Sequence, residues 1–133
     1  FHRKMQMILK YVEPLRHVLF KLIDEDSKAY LAVRDAYRSE HGQRIQKALQ
    51  KAAGVLLKTA KTTLKLLGPI DLLLKHGNPH AHSDCLTAKY LVKAAVKSAI
   101  ANVEMNLKEI NDSNIVRRFQ KEIRRITRVV GLR

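Results

Sequence analysis

Acidic residues are scarce in this sequence. Twelve Asp and Glu stand against twenty-six Lys and Arg, leaving a formal net charge of +14. Such an excess repels itself in a compact fold and favours anionic partners. Cysteine is nearly absent too. The lone Cys85 can form no intramolecular disulfide and no cysteine-based metal cluster, which points to a reducing compartment. There is no tryptophan, and only three Phe and four Tyr. With Leu, Ala, Val and Ile dominating, helices are favoured over a β-sandwich. No apolar run approaches the ~20 residues needed to span a bilayer. The opening FHRKMQMILKYV lacks a small-residue cleavage site, so it reads as the start of a helix and not as a secretory signal. Internal repeats and low-complexity segments are also missing.

What remains is a helical protein. A chain of 133 residues with 46% hydrophobic content suits one domain, residues 1–133, with a real core. It begins at Phe1, as a processed form or a part of something longer would. Turn signals are few: Pro14, Gly42, Gly54, Gly68-Pro69, Gly77-Asn78-Pro79 and Gly131. Between them the periodicity is helical, with no strand-like alternation. The expected architecture is all-α, an antiparallel bundle of about four to five helices. A first helix over about 2–38, bent near Pro14, puts Leu15, Leu19, Leu22, Ile23, Asp26, Tyr30 and Val33 on one face. A second, over about 43–75, breaks at Gly68-Pro69. A third starts at Ser83 as N-cap, with Asp84 in its positive first turn, and runs to about 110. A fourth runs from about 113 to 130, capped by Ser113 or Asp112. Its Val116, Phe119, Ile123, Ile126 and Val130 form an a/d seam.

The second helix segregates its charge. Arg44, Lys47, Lys51, Lys58, Lys61 and Lys65 fall within an arc of about 100°. Ile45, Leu49, Ala52, Leu56, Ala60, Thr63 and Leu67 lie opposite. A solvated face usually mixes signs, yet no acid occurs between Glu40 and Asp71. On the last helix Arg117, Lys121, Arg124 and Arg128 share a side. On the third, Lys89, Lys93 and Lys97 step by four. These rows read as polyanion-binding faces, with sequence-independent and salt-dependent affinity for structured RNA or DNA. The alternative is plain solvation.

The stretch HGNPHAHSDCLTAKY, residues 76–90, has the look of a site. His76, His80, His82 and Asp84 could ligate zinc, but their spacing matches no tight zinc signature, and the expectation is no metal. No phosphate loop or Ser-His-Asp order occurs, and Cys85, without a partner base, reads as inert. Downstream, Ser98, Asn102 and Asn106 step by four near the apolar side of the third helix. Asparagines there need hydrogen-bond partners, or each costs ~1–3 kcal/mol. They form either a structural network or a polar wall for a ligand rich in amide-like groups.

GNPHAHSD, a small-residue helix and then NVEMNLKEIND together resemble the cyclodeaminase domain of formiminotransferase-cyclodeaminase and its stand-alone relatives, the methenyltetrahydrofolate cyclohydrolases of the same helical fold. LIDEDSKAYLAVRDAYR and RIQKALQKAAGVLLKTAKTTLKLL resemble the two helices upstream. The resemblance implies a helical, usually dimeric enzyme that needs no cofactor and takes a tetrahydrofolate derivative as substrate. It closes the 5-formimino form to the 5,10-methenyl form with loss of ammonia, or hydrolyses the methenyl form. It also implies Asp26 and Asp84 as catalytic candidates, and Asn78, Ser83, Asn102 and Asn106 as folate-binding ones. The chain departs from the family pattern in three ways. The family's Pro- and Gly-rich opening loop and first apolar helix have no counterpart in residues 1–133. Gly54 stands near a position where the family usually has proline. The chain is also unusually basic.

Truncation and charge together lead to a main expectation of a non-catalytic basic subunit. It would bind RNA in a ribonucleoprotein such as a mitochondrial ribosome, in the mitochondrial matrix. The alternative is a folate enzyme, with a cytoplasmic location also open. A scaffold for acidic proteins is a third possibility. Either a homodimer or a hetero-assembly is compatible with the small residues of the third helix.

Overall fold

The computed structural model describes residues 1–132. Five α-helices make up the described chain: α1 (His2–Ser39), α2 (Gly42–Leu64), α3 (Leu67–His76), α4 (His82–Leu107) and α5 (Ser113–Leu132), with one 3-10 turn, Pro79–Ala81, before α4. The all-α bundle expected from periodicity is what forms.

α2 lies at the centre and packs against α1, α4 and α5. Small side chains set this packing. Ala36 on α1 and Ala53 and Ala60 on α2 are completely buried. Alanine at a helix crossing lets the two backbones approach closely. On α1 the buried residues Leu22, Ala29 and Ala36 recur every seven residues, a seam repeating every two turns. Leu49, Ala53 and Ala60 of α2 join Val96, Ala99, Ile100 and Val103 of α4 in the core, which Ile123, Ile126 and Val130 of α5 complete. Of the a/d seam expected on the last helix these three are buried, while Val116 and Phe119 are half-buried against the same core.

Helix directions follow from two short connections. Glu40 ends α1 in the left-handed region, φ 58°, with its N–H donating to the Tyr37 carbonyl, and the chain turns straight into α2. Gln46 near the start of α2 donates to the Glu109 carbonyl at 2.9 Å and accepts from the Asn111 N–H at 2.8 Å, just past the end of α4. α1 and α4 therefore both run antiparallel to α2 and parallel to each other.

Several boundaries differ from expectation. α1 runs through Pro14, which is exposed, so the carbonyl it leaves unpaired can meet water. The second break comes at Lys65-Leu66, earlier than Gly68-Pro69. Pro69 then sits in the first turn of α3, where backbone N–H groups have no intrahelical partner to lose. α4 begins at His82 with no side-chain cap, so Ser83 is a first-turn residue and not the N-cap. Asp112 caps α5, accepting from the N–H groups of Asn114 at 2.9 Å and Ile115 at 3.3 Å. On α1 the face is rotated from the one expected. Ile23 and Tyr30 are exposed, beside a seam that half-buried Leu15, Leu19 and Val33 flank. No helix among the described residues is long and apolar enough to cross a membrane.

One ion pair joins α2 to α5 at the surface. Lys61 Nζ lies 3.1 Å from Glu122, which Arg125 also meets at 2.9 Å. The hydrogen bond from Lys61 holds the Glu122 carboxyl below the ordinary glutamate range. The charges of Lys61, Arg125 and Lys121 act with it, against the opposing effect of burial. A lowered carboxyl pKa adds stability above the unfolded-state pKa, and that stability is lost as pH falls through the folded-state value. Glu122→Gln should therefore unfold at lower denaturant than the parent at neutral pH. The two midpoints should converge once acid protonates Glu122, as equilibrium unfolding at both pH values will show.

Candidate active site

Three helices each present a pair of residues four apart to one open cleft. Asp26 and Tyr30 come from α1, Ala52 and Leu56 from α2, and Asn102 and Asn106 from α4. Spacing of four keeps each pair on one helix face. Because α1 and α4 both pack on α2, they form the walls of the cleft and α2 its floor. Its volume is about 510 Å³, within the usual range for small-molecule sites.

The polar groups of the cleft are few and distinct. Asp26 is exposed, and no hydrogen bond or ion pair among the described residues engages its side chain. Ser27 beside it donates its hydroxyl to the Ile23 carbonyl at 3.1 Å. Asn102 donates from Nδ2 to the Ser98 carbonyl at 3.1 Å, which leaves its Oδ1 as an acceptor for a ligand. Asn102 is exposed and Asn106 half-buried. Asn102 and Asn106 thus line a cleft, as a polar wall for a ligand would.

The structure brings together Asp26, Asn102 and Asn106, which lie far apart in sequence. It does not bring Asn78, Ser83 and Asp84 to the same place. These sit at the start of α4, and Asp84 is roughly 27 Å along the helix axis from Asn102 at about 1.5 Å per residue. All three are exposed. Asn78 has a local task, accepting from the His80 N–H at 3.0 Å to start the 3-10 turn. Among the described residues no group of three His, Cys, Asp or Glu could hold a metal. Cys85 is half-buried. Sequence reasoning passed over Tyr30 and Met105 as site residues. Both line the cleft, and the signal was available: Tyr30 is four residues from Asp26, and Met105 three from Asn102.

Comparison with known proteins gives this cleft its context. The family model described as formiminotransferase-cyclodeaminase matches residues 1–125. The chain belongs to this family. Among its relatives, a methenyltetrahydrofolate cyclohydrolase of Methylorubrum extorquens is 27% identical over 128 residues, covering 90% of this chain and 62% of that protein. A formimidoyltransferase-cyclodeaminase of Gallus gallus is 29% identical over 122 residues, 82% of this chain and 23% of that protein. The crystal structure of formiminotetrahydrofolate cyclodeaminase from Thermotoga maritima superposes with a TM-score of 0.92 at 29% identity, over 97% of this chain and 65% of that one. The chain spans less than two-thirds of the length of these relatives.

Membership in the formiminotransferase-cyclodeaminase family corrects the main expectation. The relatives are folate enzymes, and nothing in the comparisons supports an RNA-binding subunit of a ribonucleoprotein or mitochondrial ribosome. The basic rows have simpler accounts. Lys61 and Arg125 share the carboxylate of Glu122, an acid supplied by another helix and so invisible in the local charge pattern of α2. Arg117 folds back on its own helix start, bonding the Ser113 carbonyl at 3.3 Å and Asn114 Oδ1 at 2.8 Å. Arg44, Lys47, Lys51, Lys58, Lys65, Lys121, Arg124 and Arg128 are exposed, as solvated cations are.

The loop before α4 depends on one glycine. Gly77 closes α3, donating its N–H to the Leu73 carbonyl at 2.8 Å. A Cβ at this position would overlap that same carbonyl oxygen. Gly77→Ala should destabilise the protein by about 1–3 kcal/mol, the usual range for a damaging single change. Denaturant unfolding measures this, and an unchanged midpoint would mean that the loop shifts freely.

Proposed function

We propose that this chain carries the one-carbon chemistry of its family at the α1–α2–α4 cleft. Its substrate would be 5-formiminotetrahydrofolate or the 5,10-methenyl form. The observation behind the reading is the convergence of Asp26, Asn102 and Asn106 on one cleft with an apolar floor.

Ring closure requires a proton to leave and a proton to arrive. The N10 nitrogen of the folate attacks the formimino carbon and a new C–N bond forms. The formimino nitrogen enters as the protonated amidinium, =NH2+, and becomes –NH2 as N10 attacks. The N10 proton must go to a base, and that –NH2 must gain one proton before it leaves as ammonia. One carboxylate can do both in turn, taking the first proton and delivering it to the leaving group. Asp26 suits this task because no internal partner occupies it. Hydrolysis of the methenyl form needs the same group, now to take a proton from the attacking water. Asn102 and Asn106 offer amide donors and acceptors that match the amide-like edge of a pterin. Water excluded from the apolar floor would strengthen these contacts. The loop residues Asn78, Ser83 and Asp84 remain candidates for holding a more distant part of the folate. None of them adjoins Asp26 within one chain.

The test is turnover. The purified protein should convert 5-formiminotetrahydrofolate to the 5,10-methenyl form, followed by the absorbance of the methenyl product and by release of ammonia, or should hydrolyse the methenyl form. Asp26→Asn keeps the size of the side chain and removes its basicity, so kcat should fall about 10²- to 10⁴-fold. Asp26→Asn activity within a few-fold of the parent would remove Asp26 from this role. Absence of both reactions in the parent protein would remove the folate reading itself.

A further inference from the structure

Resting on the folate reading, we propose that Tyr30 and Met105 form a clamp that grips the two faces of the ligand's pterin ring.

The cleft has two ends. Asp26 on α1 and Asn102 on α4 mark one of them. Tyr30 lies four residues further along α1, and Met105 three residues further along α4. Since α1 and α4 run parallel, both steps go the same way, by about 6 Å and about 4.5 Å at the rise of an α-helix. Tyr30 and Met105 therefore stand on separate walls, at similar depth along the cleft, one turn beyond the polar groups. Leu56 of the floor lines the same space.

Their exposure is the second observation. Tyr30 is 67% exposed and Met105 62%. Single exposed apolar side chains are ordinary on a protein surface. Fourteen large apolar side chains are exposed among the described residues; Tyr30, Leu31 and Met105 are the ones that line this concave, apolar-floored cleft. Neither Tyr30 nor Met105 belongs to the core cluster.

Their chemistry is complementary to a flat heteroaromatic ring. An aromatic face stacks on such a ring in an offset geometry. A thioether adapts to a ring face or edge because it is unbranched and polarisable. A ring held between them puts its polar edge within reach of Asn106 and its one-carbon end toward Asp26. On this account Tyr30 and Met105 position the substrate, while Asp26 handles the proton. The Tyr30 hydroxyl has no necessary part in the clamp.

Titration of a stable analogue of 5,10-methenyltetrahydrofolate, which the protein does not turn over, into the purified protein, followed by calorimetry, tests the clamp. Tyr30→Ala and Met105→Ala should each raise Kd about tenfold, and Tyr30→Phe, which keeps the ring, should restore the parent value. In steady-state assays the two alanine variants should raise KM while kcat falls far less than in Asp26→Asn. Both residues are mostly exposed, so thermal unfolding midpoints should stay with the parent and separate binding from folding. Alanine variants that bind within twofold of a parent that itself binds would overturn the clamp and leave the folate reading standing. A parent that binds no folate at all would overturn both, and that outcome is recognised before any variant is made.

Discussion

Everything in this molecule depends on α2 being packed from more than one side through small side chains. Ala53 and Ala60 have no exposed surface, and Ala52 is nearly as buried. They allow α1 and α4 to approach one central helix closely. Two helices laid parallel along a third leave a trough between them. Here the trough is lined by one carboxylate and two carboxamides, above a floor of Ala52 and Leu56. A larger side chain at these alanines would force the helices apart or create overpacking strain. The site is thus a consequence of the packing that makes the core.

Much of this was legible in the sequence because it is local. The seam of α5, from Val116 to Val130, is a run of three- and four-residue steps; Ile123, Ile126 and Val130 are buried, and Val116 and Phe119 half-buried against the same core. Asp112 was readable as a cap because Asp favours that position. The family motifs named Asp26, Asp84, Asn78, Ser83, Asn102 and Asn106 before any fold was known; Asp26, Asn102 and Asn106 do share a cleft, while the other three lie elsewhere. What stayed hidden was non-local. Glu122 neutralises Lys61 from another helix, which no window on α2 could reveal. The exposure of Ile23 and Tyr30 depends on which face of α1 meets α2, and periodicity gives a face without its exact rotation. The start of α4 was misread at Ser83 because the preceding 3-10 turn, held by Asn78, already orders the chain.

The contrast between charge and motif is instructive. A net charge of +14 describes the whole surface and constrains solubility and encounter, not fold or chemistry. A few spaced residues, GNPHAHSD and NVEMNLKEIND, carried more information about descent, and the family match over residues 1–125 bears them out. The rows of lysine and arginine are compatible with a folate enzyme. Part of their charge is spent inside the molecule, on Glu122 and on the start of α5.

The most direct measurement is a crystal structure of the protein soaked with a stable analogue of 5,10-methenyltetrahydrofolate. The pterin should lie between α1 and α4 above Ala52 and Leu56, with its one-carbon end facing Asp26. Analogue density confined to another surface, with the trough filled only by solvent, would contradict the account.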